Sequence, residues 1–376
     1  MKHQFALFSL LLTFGLTACM EPQPAPDLTE IKSESFQIKT LASELHHPWS
    51  VAELPNGGLL ITERGGKAYR YSDSERVEIE GLPSDIFVGG QAGLFDIVLA
   101  PDFATTAEVY LSYAYGAEDK NGTALARARL NENKLEGLTT IFRASPPKAG
   151  PQHFGGRIAF LPDDTIVLTL GEGFSFREDA QKPNTHLGKL IRLTRDGGVP
   201  EDNPFLGQEG FKPQIYSMGH RNVQGLAYDA TTNTLWEHEH GPRGGDELNI
   251  IKGGENHGWP LVTKGVDYNG ARITPFEEKE GYVEPIHYWV PSIAPSGLAI
   301  YRGDLFPEWN GDALIGGLAS RDLRRVDLEN GKAVGETDLL SDLDVRIRDV
   351  RVAADGAVLI LTDDAENGEL LRLSPK

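Results

Sequence analysis

Three observations predict an all-β chain, a six-bladed β-propeller of four-stranded antiparallel sheets. Apolar and polar residues alternate at period two in short stretches along the whole chain. No long segment carries the period of an amphipathic helix. One pattern, an apolar strand, a turn rich in Pro, Asp, Asn or Gly, and a second β-branched or Leu-rich strand, recurs six times.

The six turns are Leu54-Pro55-Asn56-Gly57, Ala100-Pro101-Asp102, Leu161-Pro162-Asp163-Asp164, Tyr228-Asp229 to Asn233, Pro307 to Gly311, and Ala353-Ala354-Asp355-Gly356. Each leads into a strand such as Leu59 to Thr62 or Val358 to Thr362, and most are followed by a third stretch, as in Leu125 to Leu130, Lys189 to Thr194, Asp322 to Leu328 and Glu369 to Leu373. A sheet apolar on both faces must stack on neighbours to be buried, and six such sheets in 376 residues fit a closed ring. The widest spacing follows the fourth copy, so Gly241 to Pro291 is expected to carry long loops on one face.

The chain opens with Met1-Lys2-His3, an apolar run from Phe5 to Leu16, and Leu16-Thr17-Ala18-Cys19. This is the layout of a signal peptide too short to span a bilayer, ending in a bacterial lipobox. The expected organisation is a lipoprotein signal peptide over 1–18, a Pro-rich tether over 19–35 holding Pro22, Pro24 and Pro26, and a propeller over 36–376. The protein is expected in the periplasm, touching membrane only through a lipid on Cys19. Cys19 is the single cysteine, which excludes an intramolecular disulfide. A net charge of −19 without a basic run argues against nucleic acid as a partner and leaves small ligands open.

In a propeller the first strand of each blade lines the central channel, so the residues before it sit at one mouth. Those positions hold His47, Gln91, Gln152, His153, Arg221, Asn222, Ser296, Arg346 and Arg348. The second strand returns to the same mouth and brings Glu172, the run His238 to Pro242, Ala319 to Arg321, and Asp363. A histidine, several amides and at least three arginines in one pocket suit an anionic cofactor and a hydroxylated substrate.

At these residues the chain resembles the PQQ-dependent glucose/sorbosone dehydrogenases, the soluble aldose sugar dehydrogenase family. The motifs that carry the resemblance are Gly90-Gln91-Ala92-Gly93-Leu94, Gln152 to Arg157, Gly219 to Leu226, Glu239-His240-Gly241-Pro242 with Gly245 to Asn249, Gly258-Trp259-Pro260, and Arg346 to Val350. The resemblance implies that an aldose is oxidised at C1 to a lactone with pyrroloquinoline quinone (PQQ) as hydride acceptor. It makes His153 the catalytic base, a role suited to an imidazole that titrates near neutral pH. It places Arg221, Asn222, Tyr268, Ala319, Ser320, Arg321, Arg346 and Arg348 against the cofactor, and Gln91 and Gln152 beside the sugar. It assigns calcium to the carbonyls of Gly241 and Pro242, with a further calcium on the Glu247 carboxylate and the His257 carbonyl, all oxygen donors fit for a hard cation. A downstream electron acceptor, a cytochrome or quinone, is implied as partner.

Some positions depart from the family. Ala319 stands where glucose-oxidising relatives have a lysine, so either Arg321 supplies that charge or PQQ binds more weakly. Gln152 replaces an acidic residue, and the sugar-holding aromatic positions align with His287 and Val290, which favours broad aldose specificity. His238 and His240, an i, i+2 pair, invite a zinc reading that lacks a third ligand at motif spacing. Two other functions stay open on the residues: a calcium-dependent lactonase-type hydrolase, or a non-catalytic propeller that binds sugar or protein.

Overall fold

The computed structural model describes residues 29–30, 36–72 and 75–376. The expected leader, Cys19 and most of the expected tether lie outside the described residues. Six sheets form a ring of antiparallel blades, as the repeat predicts. In chain order the inner strands are Pro48–Glu53, Leu94–Leu99, Ile158–Phe160, Val223–Asp229, Pro295–Ile300 and Ile347–Val352.

The burial gradient across a blade explains the sequence pattern. Second strands such as Leu59–Glu63, Ile166–Leu170 and Val358–Thr362 are buried at every position, because both faces pack on neighbouring blades. They therefore read as continuous apolar runs. Outer strands such as Lys134–Arg143 are exposed at half of their positions and carry charge. Between blades one and two, Leu60, Ile97 and Leu111 pack together. Between the last two, Phe306 and Trp309 stack with centroids 4.0 Å apart in a core with Val350 and Ile360. Among the described residues the only α-helix is the single turn Phe103–Thr106.

The ring closes with strands from both ends of the chain. Phe36–Leu45 pairs antiparallel with Gly368–Pro375, which makes it the outer strand of the last blade. Thr29–Glu30 adds a short parallel strand at the outer edge of the fifth. The wide spacing after the fourth copy is a long connection between Asp246–Ile251 and His287–Trp289, which brings Trp259 and Tyr268 to the mouth of the ring.

Charged residues on the inner strands tie the blades together. The Arg157 guanidinium, fully buried, donates to Asp349 Oδ1 (2.7 Å), the Gln224 carbonyl (2.8 Å) and the Arg348 carbonyl (3.1 Å). Arg351 pairs with both Asp96 (2.8 Å) and Asp349 (3.1 Å), while Asp96 accepts from Ser50 Oγ and Ile158 N. Each oxygen of both carboxylates thus has at least one donor, the condition under which a buried charge is tolerated.

Candidate active site

His153 lies just before the third inner strand in a left-handed backbone conformation, φ 50°, which is unfavourable for a side-chain-bearing residue. Its surroundings hold it there. Its N–H donates to Gln91 Oε1 (2.8 Å), and Gly171 packs so close that a Cβ would stand 2.4 Å from the His153 carbonyl oxygen. The ring Nδ1 lies 3.0 Å from Glu172 Oε1, at the end of the second strand of the same blade. Both side chains are buried, and the edge of His153 meets Phe174. No side chain among the described residues bonds Nε2.

The electrostatics of this pair follow from burial. Desolvation, then the positive charges of Arg221 and Lys148, hold His153 well below the usual imidazole range. Desolvation raises Glu172 to about 7 against the opposing pull of Arg221. Lys148, whose ammonium donates to Asn121 Oδ1 and the Gly150 carbonyl, is lowered to about 7 by burial. The pair thus resists placing a charge on the imidazole, and an ionised Glu172 accepts from Nδ1–H and leaves the Nε2 lone pair free.

A cavity of about 220 Å³ opens at the same mouth, lined by Trp49, Gln91, Asn222 and His240 and by the arginines Arg64, Arg346 and Arg348. Arg346 and Arg348 both reach Asp363 Oδ2, at 2.9 and 3.1 Å. The two guanidiniums hold the Asp363 carboxyl far below its usual range despite its burial. Three arginines and one carboxylate leave the cavity net positive, a surplus that suits a polyanion. On the adjoining cleft of about 780 Å³, lined by Gly241, Pro242, Tyr268, Val290 and Ala319, Arg221 donates to the carbonyls of His240 (3.0 Å) and Gly241 (2.6 Å) and to Tyr268 Oη (3.2 Å).

Residues 45–372 match the family described as Glucose / Sorbosone dehydrogenase. The chain belongs to the glucose/sorbosone dehydrogenase family. It is 41% identical over 350 residues to the aldose sugar dehydrogenase YliI of Escherichia coli, covering 91% of this chain and 94% of that one. Quinoprotein glucose dehydrogenase B of Acinetobacter calcoaceticus is 26% identical over 97% of this chain and 94% of its own. Among solved structures, the apo soluble aldose sugar dehydrogenase of E. coli superimposes with TM-score 0.88 at 40% identity, covering 91% of this chain and all of that one. The PQQ-bound aldose sugar dehydrogenase of Streptomyces coelicolor superimposes with TM-score 0.74 at 28% identity, covering 90% and 99%.

The structure gathers most of the positions expected from the glucose/sorbosone dehydrogenase resemblance. His153, Gln91, Arg221, Asn222, Tyr268, Arg346, Arg348, Gly241, Pro242 and Ala319 surround the cavity and its adjoining cleft. Gln152 is half-buried at the rim beside Gly150. Ser320 and Arg321 stand apart. The Ser320 hydroxyl donates to Asp322 (2.5 Å), and Arg321 pairs with the exposed Asp344 (3.2 Å), so Arg321 does not replace the missing lysine at Ala319. Instead Arg64 supplies a further guanidinium; it follows the second strand of the first blade as Asp363 follows that of the sixth, a mouth position that the expected set passed over.

Other expectations change in the structure. His287 does not face the sugar position: it is buried in the fourth blade against Glu336 (3.1 Å), whereas Val290 does line the cleft. The zinc reading of His238 and His240 fails, because each Nε2 meets a backbone carbonyl, Gly297 at 3.4 Å and Pro295 at 2.7 Å. Glu247 and His257 lie away from the cavity, within the fourth blade: His257 is buried beside Glu237, and the half-buried Glu247 joins them through Asn249 Nδ2. Glu172, the partner of His153, was legible as a residue at the mouth but not as half of a pair.

Both expected cofactors fit the side chains present. The surplus of guanidinium suits PQQ, which carries three carboxylates. The Gly241 and Pro242 carbonyls are hard oxygen donors but uncharged, and Asp246 is occupied in bonding Gly241 N, Ser292 and Ala294 N. Calcium beside Arg221 therefore fits only together with an anion that adds oxygens. Near Glu247, the orphaned Glu237 Oε2 also favours a cation.

Proposed function

We propose that this enzyme oxidises aldose sugars at C1 to lactones, with PQQ held at the propeller mouth beside calcium. The observation that carries the reading is the His153–Glu172 pair next to a cavity with surplus guanidinium charge. Bound PQQ supplies a quinone that accepts hydride. His153 Nε2 takes the proton of the C1 hydroxyl, and Glu172 orients the ring and offsets the imidazolium that forms. Arg64, Arg346, Arg348 and Asn222 hold the cofactor's anionic groups, and Arg221, with Tyr268, completes the wall towards Gly241 and Pro242. Gln91 and the rim residue Gln152 face the sugar hydroxyls. Export and lipid anchoring through Cys19 belong to the same reading, with electrons passing to an acceptor in the periplasm.

The test uses protein loaded with PQQ and calcium, an artificial electron acceptor and a panel of aldoses. His153→Gln should retain PQQ and lose turnover by about 10²- to 10⁴-fold, the usual contribution of a general base. Near-normal turnover in that variant, or no binding of PQQ at micromolar concentration by the wild type, overturns the proposal.

A further inference from the structure

Within the fourth blade the strand Thr234–Glu239 sends Glu237 and Glu239 into a closed space shared with Glu247 and Asn249 of Asp246–Ile251. Two loops cover it and supply His220 and His257, whose rings stack with centroids 4.6 Å apart. His220, His257, Glu237, Glu239 and Asn249 are buried, and Glu247 is half-buried at the edge of the space. Neither nitrogen of His257 has a partner, and Glu237 Oε2 and Asn249 Oδ1 are equally orphaned. Each such buried polar atom has lost water without gaining a hydrogen bond, which destabilises the fold. A phenylalanine would fill the place of His257 without that cost. An imidazole there has a purpose only if something binds it.

The rest of the cluster is arranged as a metal's surroundings are. Ligand atoms of His220, Glu237 and His257 lie within 4.8 Å of one another. The Nε2 of His220 is 2.8 Å from Ser217 Oγ, the outer hydrogen bond that orients a metal-binding imidazole, and its Nδ1 faces Glu239 (3.2 Å) and Glu237 (3.8 Å). One proton on Nδ1 cannot serve both carboxylates and His257. Asn249 Nδ2 fixes Glu237 through Oε1 (2.8 Å) and leaves Oε2 free. Zinc held by nitrogen and oxygen at about 2.0–2.2 Å needs ligand atoms roughly 3.3 Å apart, which calls for an inward shift of about 1 Å by each side chain.

We propose that His220, His257 and Glu237 bind a divalent ion of the zinc class as a structural site within the fourth blade. The donor set of two imidazoles and a carboxylate differs from the all-oxygen set, the Glu247 carboxylate and the His257 carbonyl, expected for calcium. Imidazole selects zinc-class ions, whereas calcium takes oxygen. The ion offsets the charge of the buried glutamates. It also pins the loop of Arg221, whose N–H donates to Glu239 Oε2, to the blade that carries Gly241 and Pro242.

The test needs neither PQQ nor sugar. Full-length protein stripped with chelator is titrated with cobalt(II) while visible absorption is recorded, and its melting temperature is read with zinc or calcium added. The wild type should bind about one cobalt with the strong visible bands of tetrahedral nitrogen and oxygen coordination, lose them to zinc, and melt higher with zinc. His257→Phe and Glu237→Gln should each weaken cobalt binding by at least about tenfold. Any effect of calcium through the His257 carbonyl should persist in His257→Phe. Absence of cobalt bands in folded wild type, stabilisation by calcium alone, or variants that bind cobalt as the wild type does would each overturn the proposal; the wild-type titration decides even if a variant fails to fold.

Discussion

His153 and Glu172 show how one contact sets a pH response. While the Glu172 carboxyl is protonated it donates to Nδ1 and leaves the ring proton on Nε2, so His153 is no base. Once ionised, it accepts from Nδ1–H and frees the Nε2 lone pair. Because burial raises Glu172 to about 7 and holds His153 well below the imidazole range, the acid limb belongs to the carboxyl. We expect kcat/KM to rise with pH through about 7 in the wild type. Glu172→Gln should flatten that limb and lower kcat by about 10²-fold or more with KM little changed. A variant that keeps the limb would remove Glu172 from its orienting role.

At the scale of strands, the inner network makes the channel a joint rather than a pore. Arg157 comes from the third blade, Asp349 and Arg351 from the sixth, Asp96 from the second and Ser50 from the first. Removing Arg157 strips Asp349 Oδ1 of its side-chain donor and breaks the bonds to the Gln224 and Arg348 carbonyls, while Arg351 and Val51 N keep Asp349 Oδ2. Arg157→Ala should cost about 3–5 kcal/mol in urea unfolding, and Arg157→Lys should recover only part, since one ammonium cannot span Asp349 and two carbonyls. A loss under 1 kcal/mol in the alanine variant would show that water or rearrangement satisfies Asp349. The same strands made the mouth legible. Alternation and turn residues are local signals, so the start of each inner strand, and with it His153, Arg346 and Arg348, could be placed from the repeat. Ser320 and Arg321 misled because a position at the mouth does not say where a side chain turns; Asp322 and Asp344 draw these two away from the cavity.

For the whole molecule, closure depends on Phe36–Leu45, which covers the edge of Gly368–Pro375. A chain beginning at residue 46 would leave that edge unpaired and the last blade with three strands. Loss of about 5 kcal/mol there would lower Tm by roughly 10 °C, and the shortened protein should also aggregate on heating. An unchanged, reversible transition would show that the closing strand is dispensable. Nothing in the local pattern near Phe36 names its partner, which lies at the far end of the chain. Alternation, turns and repeat count are properties of neighbouring residues, so the all-β class, the six blades and most residues at the mouth were legible along the chain. The pairing of Glu172 with His153, of Asp363 with two arginines, and of His220 with Glu237 and His257 emerges only on folding. Those contacts join different strands or loops, and burial of the groups between blades, rather than their spacing along the chain, sets their charge and chemistry.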